Sequence, residues 1–420
     1  MGKIVIYLCI IATLLCSAIQ GKKRKVQHDT KDVHQEHGHH HDHKHQHNYS
    51  LEIQSAKTDF AFSLYKRIAA QTNSKPKNII FSPLSISTAL AMLSLGAKGK
   101  THDELFQGLG FNKTHLTEAE VNEAFEQILR SLNQKTELDL SVGNAVFIRN
   151  NFKPLHKFLE DVKQYYHSEG FTVDFTNTTA ALHLINKYVE EKTHGKVPHF
   201  IDDLSRDTLM FLVSYIYFRG KWVIPFDPMI TRQNDFRIDE KTTVPVQMMI
   251  NDDSFDVYHD KEFSTDVLRL NYKGGISLML LLPEKGIEDL EESWCRRNLR
   301  KWHRSVKKQR YIVRVPKFSV KTSYSLQEVL SEMGMKDMFG QTANFSGLTK
   351  ENVYVSKVVH KATLDVDELG TTATGVTGVK LVPFSLPPSL TFNRPFLFII
   401  SNHENNSIFF MGKIVNPAEK

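Results

Sequence analysis

The dipeptide Phe384-Ser385 has the sequence context of a bond that a protease would cut. Pro383 precedes it and Pro387-Pro388 follow it. Proline cannot donate a ladder hydrogen bond and disfavours helix in the residue before it, so we expect extended, exposed backbone here. The aromatic side chain would fit the hydrophobic primary pocket of a chymotrypsin-like protease and could not pair with the aspartate of a trypsin-like one. An ordinary core strand or a flexible linker is the alternative interpretation.

The segment before this dipeptide, residues 370–386, is typical of a strand without an obvious partner. It is rich in valine and threonine, has no helical period and carries one charge. Alternate side chains of a strand point to opposite faces. One face would be small and uncharged throughout, and so could be buried: Thr371, Ala373, Gly375, Thr377, Val379 and Leu381. The other face would carry Thr372, Thr374, Val376, Gly378, Lys380 and Val382.

A second group of residues with a clear chemistry is cationic and lies between Cys295 and Arg310. Eight side chains recur mostly at spacings of three and four, which places most of them on one helical face: Arg296, Arg297, Arg300, Lys301, Arg304, Lys307, Lys308 and Arg310. We expect no nearby acid to neutralise them, so the face would attract a polyanion with an affinity that falls as salt rises. In a secreted protein that polyanion would be heparin or heparan sulfate, not nucleic acid. The alternative is a solvated basic helix with Leu299, Trp302 and Val306 as its core side.

Residues 22–50 are rich in lysine, arginine and histidine and contain almost no apolar side chain. Such a segment cannot bury enough surface to offset its ordering entropy, so we predict a disordered tail. Closely spaced neutral imidazoles can bind Zn²⁺, Cu²⁺ or Ni²⁺ without a preformed site. The candidate ligands are His37, His39, His40, His41, His43, His45 and His47. A solvated tail that gains charge only below pH ~6.5 is the alternative.

The motifs of common enzyme classes are absent from the sequence. It contains no HExxH, no G-x-S-x-G and no paired-cysteine metal motif. The stretch GAKGKT from Gly96 imitates the end of a phosphate-binding loop, but its first glycine is at the wrong spacing and a helix precedes it. We therefore expect no catalysis and no required cofactor.

Composition divides the chain into three parts. Residues 1–21 combine Lys3, an apolar run and small residues near Ala18, the pattern of a secretory signal that is too short to span a membrane. Residues 22–50 form the predicted tail. Residues 51–420 show no linker and no internal repeat, so we predict one domain and a monomer. The mature secreted chain would keep only Cys295 and would depend on its core, because no disulfide framework is possible.

The predicted domain has helical patterns first and strand-like runs later, which makes its fold class α+β. Helix starts of capping-box form occur at Thr101 and Thr117, and Gly108 and Gly110 end the helix between them. From about Thr208 the strand-like runs are TLMFLVSYIYF, VPVQMMI, ISLMLLLP, YIVRVPKFSV, LTFNRPFLFII and IFFMGKIV.

Several long stretches resemble the serpin family, and in particular its α1-antitrypsin group. They are NIIFSPLSISTALAMLSLGAKGKTHDELFQGLGFN from Asn78, SYIYFRGKWVIPFDP from Ser214, KATLDVDELGTTATGV from Lys361 and LTFNRPFLFIISNHENNSIFFMGKIVNP from Leu390. The resemblance covers about residues 51–417. It implies helices packed around large mixed β-sheets, with an exposed reactive-centre loop at about residues 366–390.

The resemblance also implies a suicide-substrate mechanism. A target protease would cleave Phe384-Ser385 to an acyl-enzyme, and the loop would then insert into the main sheet as a new strand and distort the bound protease. The insertion hinge would comprise Glu368, Gly370, Thr371, Thr372, Ala373, Thr374, Gly375 and Val376. The family positions that control insertion match Ser82, Ser85, Ser214, Trp222, Lys317 and His360. Ser214 departs from the usual asparagine of the family, and because a hydroxyl is shorter than an amide we expect weaker hydrogen bonding around it.

Two further sites follow from the resemblance. The basic segment is similar to the helix before the PKFS strand in protein C inhibitor and kallistatin, which are heparin-binding members of the group. N-x-S/T sequons occur at Asn48, Asn112, Asn177, Asn344 and Asn405. We expect glycosylation at Asn112, which matches a family position, and at Asn177, whereas the apolar neighbours of Asn344 and Asn405 favour burial.

The competing hypothesis is a non-inhibitory serpin that acts as a secreted carrier or binds metal or glycosaminoglycan. The histidine-rich tail and the basic segment would suit such a protein. Charged or proline residues between Gly370 and Val376 would favour it, and the sequence has none there.

Overall fold

The computed structural model describes residues 39–71, 77–134, 138–368, 386–402 and 407–419, with side chains from residue 51 onwards. The predicted signal segment, His37, hinge residues 370–376 and Phe384-Ser385 lie outside the described residues. From His47 onwards the described chain belongs to one compact unit. Within the described ranges, no helix is long and apolar enough to cross a membrane.

The described helices and strands alternate irregularly along the chain. The helices are α1 His39–Gln71, α2 Pro83–Ser94, α3 Gly99–Gly108, α4 Glu118–Asn133, α5 His156–Tyr166, α6 Thr178–Lys192, α7 Glu288–Ser293, α8 Arg296–Ser305 and α9 Gln327–Glu332. The strands are β1 Ile79–Phe81, β2 Asp139–Arg149, β3 Glu169–Val173, β4 Met210–Arg219, β5 Arg232–Arg237, β6 Thr243–Asp260, β7 Thr265–Asn271, β8 Ile276–Pro283, β9 Lys307–Pro316, β10 Phe318–Ser325, β11 Lys357–Val366, β12 Ser389–Thr391, β13 Phe396–Asn402 and β14 Ile408–Ile414. Each strand-like run of the sequence forms at least one of these strands.

Helix α1 begins at His39, within the segment for which the sequence predicts a tail. The helix is anchored further along by buried apolar residues such as Ile53, Phe60 and Leu64. Once such a nucleus exists, each added residue gains a backbone hydrogen bond at little further cost. The helix therefore extends into a sequence that would not form one by itself.

The two predicted capping boxes have different outcomes. Thr117 is confirmed as the N-cap of α4, with reciprocal hydrogen bonds to Glu120. Thr101 is not an N-cap, because α3 begins at Gly99. Its hydroxyl instead donates to Asp337 at 2.6 Å, and the Glu104 carboxylate accepts from the backbone of Lys336 and Asp337. These two side chains therefore attach α3 to a distant turn of the chain. As predicted, α3 ends at Gly108.

Two sheets carry the fold. The larger one has the strand order β1-β14-β13-β8-β7-β6-β9-β12, with β5 also paired to β6. The smaller one has the order β10-β11-β4-β2-β3. The chain leaves the smaller sheet after Val366 and enters the larger one at Ser389, so residues 369–385 connect the two sheets in sequence.

The centre of the smaller sheet brings three distant segments into register. Strand β11 runs parallel to β4, with His360 opposite Ser214. Strand β2 runs antiparallel to β4 on its other side, with Asn144 opposite Ser214. Three polar side chains thus lie in one row across three strands.

Helix α2 packs over this row. It contacts β4 and β2 of the smaller sheet and β14 of the larger one, and all its residues are buried. Its sequence, PLSISTALAMLS, is made of small and apolar side chains, which allows close approach to both sheets. Ser82 caps its N-terminus by accepting from the Ser85 backbone N–H at 3.0 Å. The helix therefore holds its first turn, with Ser82 and Ser85, against the polar row.

Candidate functional site

Four of the predicted residues meet where α2 crosses the smaller sheet, and we name Ser82, Ser85, Ser214 and His360 the shutter. His360 Nε2 accepts from the Ser82 backbone N–H at 3.0 Å, and His360 Nδ1 lies 3.0 Å from Ser214 Oγ. Ser214 Oγ lies 2.7 Å from Ser85 Oγ, which donates to the Tyr215 carbonyl at 3.1 Å. All four shutter side chains are fully buried.

These contacts define the direction of each hydrogen bond. Because Nε2 accepts, the proton of the neutral imidazole is on Nδ1 and is donated to Ser214. Ser214 then donates to Ser85, and Ser85 donates to the backbone carbonyl. Burial lowers the pKa of His360 to about 3, so the ring is uncharged at neutral pH.

Asn144 completes the shutter and was missed from the sequence. In the amide orientation that satisfies its surroundings, its nitrogen donates to Ser214 Oγ at 3.3 Å and to the carbonyls of Gly143 and Ser85 at 3.1 Å. The expected weakening at Ser214 is therefore not found: its hydroxyl bridges His360 and Ser85, and the neighbouring strand supplies an amide. The only sequence clue was a polar residue within the apolar part of β2.

Trp222, Lys317 and Glu368 also meet, at the end of β11, where the described chain stops before residue 369. Lys317 Nζ donates to Glu368 Oε2 and Thr231 Oγ1 donates to Glu368 Oε1, both at 2.9 Å. Trp222 Nε1 donates to the Asp367 carbonyl at 2.7 Å. Arg219 pairs with the Asp367 carboxylate at 2.7 Å, a contact that was not predicted.

The Glu368 carboxylate is almost fully buried. Burial alone would raise its pKa, but the hydrogen bonds from Lys317 and Thr231 outweigh this and hold the pKa of Glu368 below its usual range. The side chain is therefore ionised at neutral pH, and its ion pair fixes the last described residue before the predicted reactive-centre loop.

The basic segment differs from its prediction in two ways. Helix α8 ends at Ser305, so Lys307, Lys308 and Arg310 belong to strand β9 and not to a helical face. Three of the cations are also neutralised by carboxylates from other elements, contrary to expectation: Arg296 by Asp59, Lys301 by Asp260 and Glu262, and Arg310 by Asp252. Five exposed cations have no carboxylate partner in the described part of the chain: Arg297, Arg300, Arg304, Lys307 and Lys308.

Asp260 fixes the buried side of α8. It accepts from Lys301 Nζ at 2.9 Å and from Trp302 Nε1 at 2.7 Å. Burial acts to raise the pKa of Asp260, but these two hydrogen bonds hold it below its usual range. The predicted core residues Leu299 and Trp302 are buried, as expected, and Val306 is partly buried.

The sequons that the structure describes are on the surface. Asn112 and Asn177 are exposed, and Asn177 caps α6 through its Oδ1. Asn344 is exposed as well, so the expectation of burial there is wrong. Its backbone N–H bonds to the buried Thr101 hydroxyl at 2.8 Å, while the side chain stays outside. Asn405 and the side chain of Asn48 lie outside the described residues.

The structure does not describe the side chains of the predicted metal ligands. His37 lies outside the described residues, and the other six lie in the first turns of α1, where only the backbone is described. Elsewhere, the described residues hold no group of three or more histidine, cysteine, aspartate or glutamate side chains that could bind a metal ion.

Comparison with known proteins identifies the class to which this fold and site belong. Residues 55–417 match the family model Serpin (serine protease inhibitor). The chain is 42% identical to alpha-1-antiproteinase 2 of Equus caballus over 415 residues, covering 98% of this chain and 96% of that protein. It is 39% identical to alpha-1-antitrypsin of Sus scrofa with the same coverage. The chain belongs to the serpin family and to its α1-antitrypsin group.

Solved structures give the same fold. Human thyroxine-binding globulin complexed with thyroxine superposes with a TM-score of 0.83 at 41% identity, covering 88% of this chain and 100% of that one. Human glycosylated kallistatin superposes with a TM-score of 0.82 at 40% identity, covering 88% of this chain and 99% of that one. The predicted α+β serpin fold is confirmed, and the family to which the chain belongs is one of protease inhibitors, not of catalytic enzymes.

Proposed function

We propose that this serpin is a secreted, glycosylated inhibitor of chymotrypsin-like serine proteases that is cleaved at Phe384-Ser385. The observation that carries the proposal is the direct parallel pairing of β4 with β11, joined by the hydrogen bond from His360 to Ser214. A further strand could enter the sheet here only by separating these two strands, and the chain that follows Glu368 starts at the end of their pairing.

Insertion of that strand would improve the pairing of the sheet. A segment that turns back after Glu368 and runs between β11 and β4 would be antiparallel to both. One parallel ladder would be replaced by two antiparallel ones, and parallel pairing is the slightly weaker kind per residue. The small, uncharged face of residues 371–381 would suit burial in the sheet.

The shutter would act as the latch on this movement. Its bond between His360 and Ser214 crosses the line along which the new strand must enter, so insertion has to separate these two side chains. In the unseparated state every buried polar group of the shutter is satisfied, which is worth about 0.5–1.5 kcal/mol per hydrogen bond. The latch therefore adds a cost to insertion that the hydrogen bonds of the new ladder would have to exceed.

The test is to incubate the purified protein with chymotrypsin and analyse the products on denaturing gels and by mass spectrometry. We expect a covalent complex and a released C-terminal peptide that begins at Ser385. Cleavage at this bond without a complex would contradict inhibition and favour a carrier.

The aromatic residue before the bond should set the target class. Replacing Phe384→Arg is expected to convert the protein from an inhibitor of chymotrypsin into one of trypsin, because arginine pairs with the aspartate in the primary pocket of trypsin. The measurement is the second-order inhibition rate constant with each enzyme, which should change by about 100-fold or more in opposite directions. Equal rates for the two variants would show that another bond is attacked.

We also propose heparin or heparan sulfate as a ligand of the five exposed cations. The triple variant Arg297→Gln, Arg300→Gln, Arg304→Gln is expected to weaken heparin binding at least about tenfold and to flatten its salt dependence. The matched control is Arg310→Gln with Asp252→Asn, which removes a cation already neutralised by a carboxylate. Binding measured at several salt concentrations should be nearly unchanged in the control, and equal losses in both variants would contradict the assignment.

The histidine-rich segment is proposed as an accessory metal site for Zn²⁺, Cu²⁺ or Ni²⁺. Calorimetric titration with each metal alone should show micromolar or tighter binding to the intact protein. The variant with all seven candidate ligands replaced by alanine should lose it, and heat changes that persist in the variant would place the metal elsewhere.

A non-inhibitory carrier is the second candidate, and one observation favours it. A small pocket between α1 and α8 contains the Ser401 hydroxyl, which is 2% exposed and has no hydrogen-bond partner in the described part of the chain. The pocket is lined by Gln54, Thr58, Arg296, Leu299, Arg300, His303 and Ser401. Because one structural neighbour binds thyroxine, thyroxine is the probe, and saturable quenching of tryptophan emission would support this candidate.

A further inference from the structure

Exposed hydrophobic side chains are concentrated in one region of the molecule. Six large ones are exposed in the described residues: Leu51, Leu184, Val223, Met229, Ile230 and Leu386. Three of them fall within residues 223–230, where Met229 is 78% exposed and Val223 is 55% exposed. We name Val223, Met229 and Ile230 the root patch. Single exposed apolar residues are common, and it is the closeness of these three in the chain that makes them a candidate contact surface.

Two residues of the root patch are next in sequence to residues that bond to the end of the described chain before residue 369. Val223 follows Trp222, which donates to the Asp367 carbonyl, and Ile230 precedes Thr231, which donates to Glu368. At the other end of the connecting segment stands Leu386, which is 90% exposed. Four of the six exposed hydrophobic side chains therefore flank the two ends of residues 369–385.

Strand pairing gives the separation of these two ends. Arg232, next to the root patch, pairs with Met248 and through it with Pro316, while Ser389 pairs with Ile312. Three strand spacings of about 4.8 Å and about six residues along the strands place the patch about 25 Å from Leu386. An interface of ordinary size covers about 800 Å² on each partner, or about 30 Å across. A protein that engages the bond beside Leu386 is thus large enough to reach the root patch.

We propose that the root patch is a secondary docking surface for the chymotrypsin-like protease that attacks Phe384-Ser385. This inference rests on the proposed function and adds a contact outside the reactive-centre loop. The patch is apolar but has exposed charges at its edge: Asp227 accepts from the Met229 backbone N–H, and Arg232 donates to the Met229 and Thr231 carbonyls. The protease surface that meets the patch therefore has an apolar centre, and its polar rim faces Asp227 and Arg232.

The experiment compares the wild-type protein with the variant Val223→Gln, Met229→Gln, Ile230→Gln. The second-order rate constant for inhibition of chymotrypsin should fall about tenfold, because loss of a docking contact changes association by one to three decades. The stoichiometry of inhibition and the unfolding temperature should stay the same, because the replaced side chains are on the surface. The matched control is Leu184→Gln, an equally apolar exposed residue on α6, which should inhibit at the wild-type rate.

The outcomes separate this inference from the proposed function. Failure of the wild-type protein to trap chymotrypsin at all would overturn the proposed function. If the wild-type protein and the variant trap chymotrypsin at the same rate, the docking role of the root patch is overturned but the proposed function is not. If the variant has a changed stoichiometry of inhibition, the patch acts in strand insertion. If the wild-type protein forms a dimer and the variant does not, the patch acts in self-association. Either result would overturn the docking role.

Discussion

The variant His360→Ala is expected to lose about 3–6 kcal/mol of unfolding free energy. The substitution leaves the Ser82 N–H and the Ser214 hydroxyl without their partner in a fully buried site. Each orphaned polar group costs about 1–3 kcal/mol, and the lost ring leaves a cavity that adds to this. Urea unfolding at pH 7.5 measures the loss. One orphaned polar group costs at least about 1 kcal/mol. If the unfolding free energy of the variant stays within about 1 kcal/mol of the wild-type value, the shutter contributes little to stability.

The same residue should make the protein sensitive to acid. The pKa of His360 is about 3 in the folded chain and about 6.5 when unfolded. As the pH falls below 6.5, the unfolded chain takes up a proton that the folded chain does not, so stability decreases down to about pH 3 by up to about 1.4 kcal/mol per pH unit. The control is His360→Asn, which keeps hydrogen-bonding groups and cannot titrate. Equal slopes for the two proteins between pH 6.5 and 5 would contradict this assignment.

The variant Lys57→Met is expected to be more stable than the wild-type protein by about 3–5 kcal/mol at pH 7 and below. Lys57 is buried on α1, and its Nζ has a hydrogen bond to Ser407 Oγ at 3.1 Å and lies 5.8 Å from the Phe125 ring centre. No carboxylate of the described residues pairs with it. Burial lowers the pKa of Lys57 to about 7. Methionine fills a similar volume without a charge.

The sign of the pH effect follows from the lowered pKa. Between pH 7 and 10.5 the unfolded chain holds a proton that the folded chain has released, so wild-type stability rises with pH across this range. Below pH 7 both states are protonated and the cost of the buried charge is constant. Chemical unfolding at pH 7 and pH 9 should show this rise in the wild type and not in Lys57→Met. The control Lys66→Met, an exposed residue of the same helix, should leave the rise intact.

Features that depend on neighbouring residues in the sequence could be predicted from it. The Thr117 capping box needs only Glu120, three residues away, and it forms as predicted. Strands β6, β8, β9, β13 and β14 of the larger sheet follow from their apolar runs, whereas β1, β5 and β7 were not predicted.

Features that depend on distant partners could not be predicted. Thr101 and Glu104 have the same local pattern as Thr117 and Glu120, but Asp337 competes for them from more than 230 residues away. The amide of Asn144 compensates for the short Ser214 side chain from another strand. The acids that neutralise Arg296, Lys301 and Arg310 likewise come from α1 and the β6 region.

The hydrogen bond from Trp222 to Asp367 gives the molecule an internal optical reporter. The indole is buried, stacks on Tyr272 with ring centres 4.0 Å apart, and bonds to the backbone two residues before residue 369. A change in the path of the chain after Glu368 pulls on this carbonyl and alters the polarity around the ring. We therefore expect that strand insertion can be followed in real time as a change in tryptophan emission, without any added label.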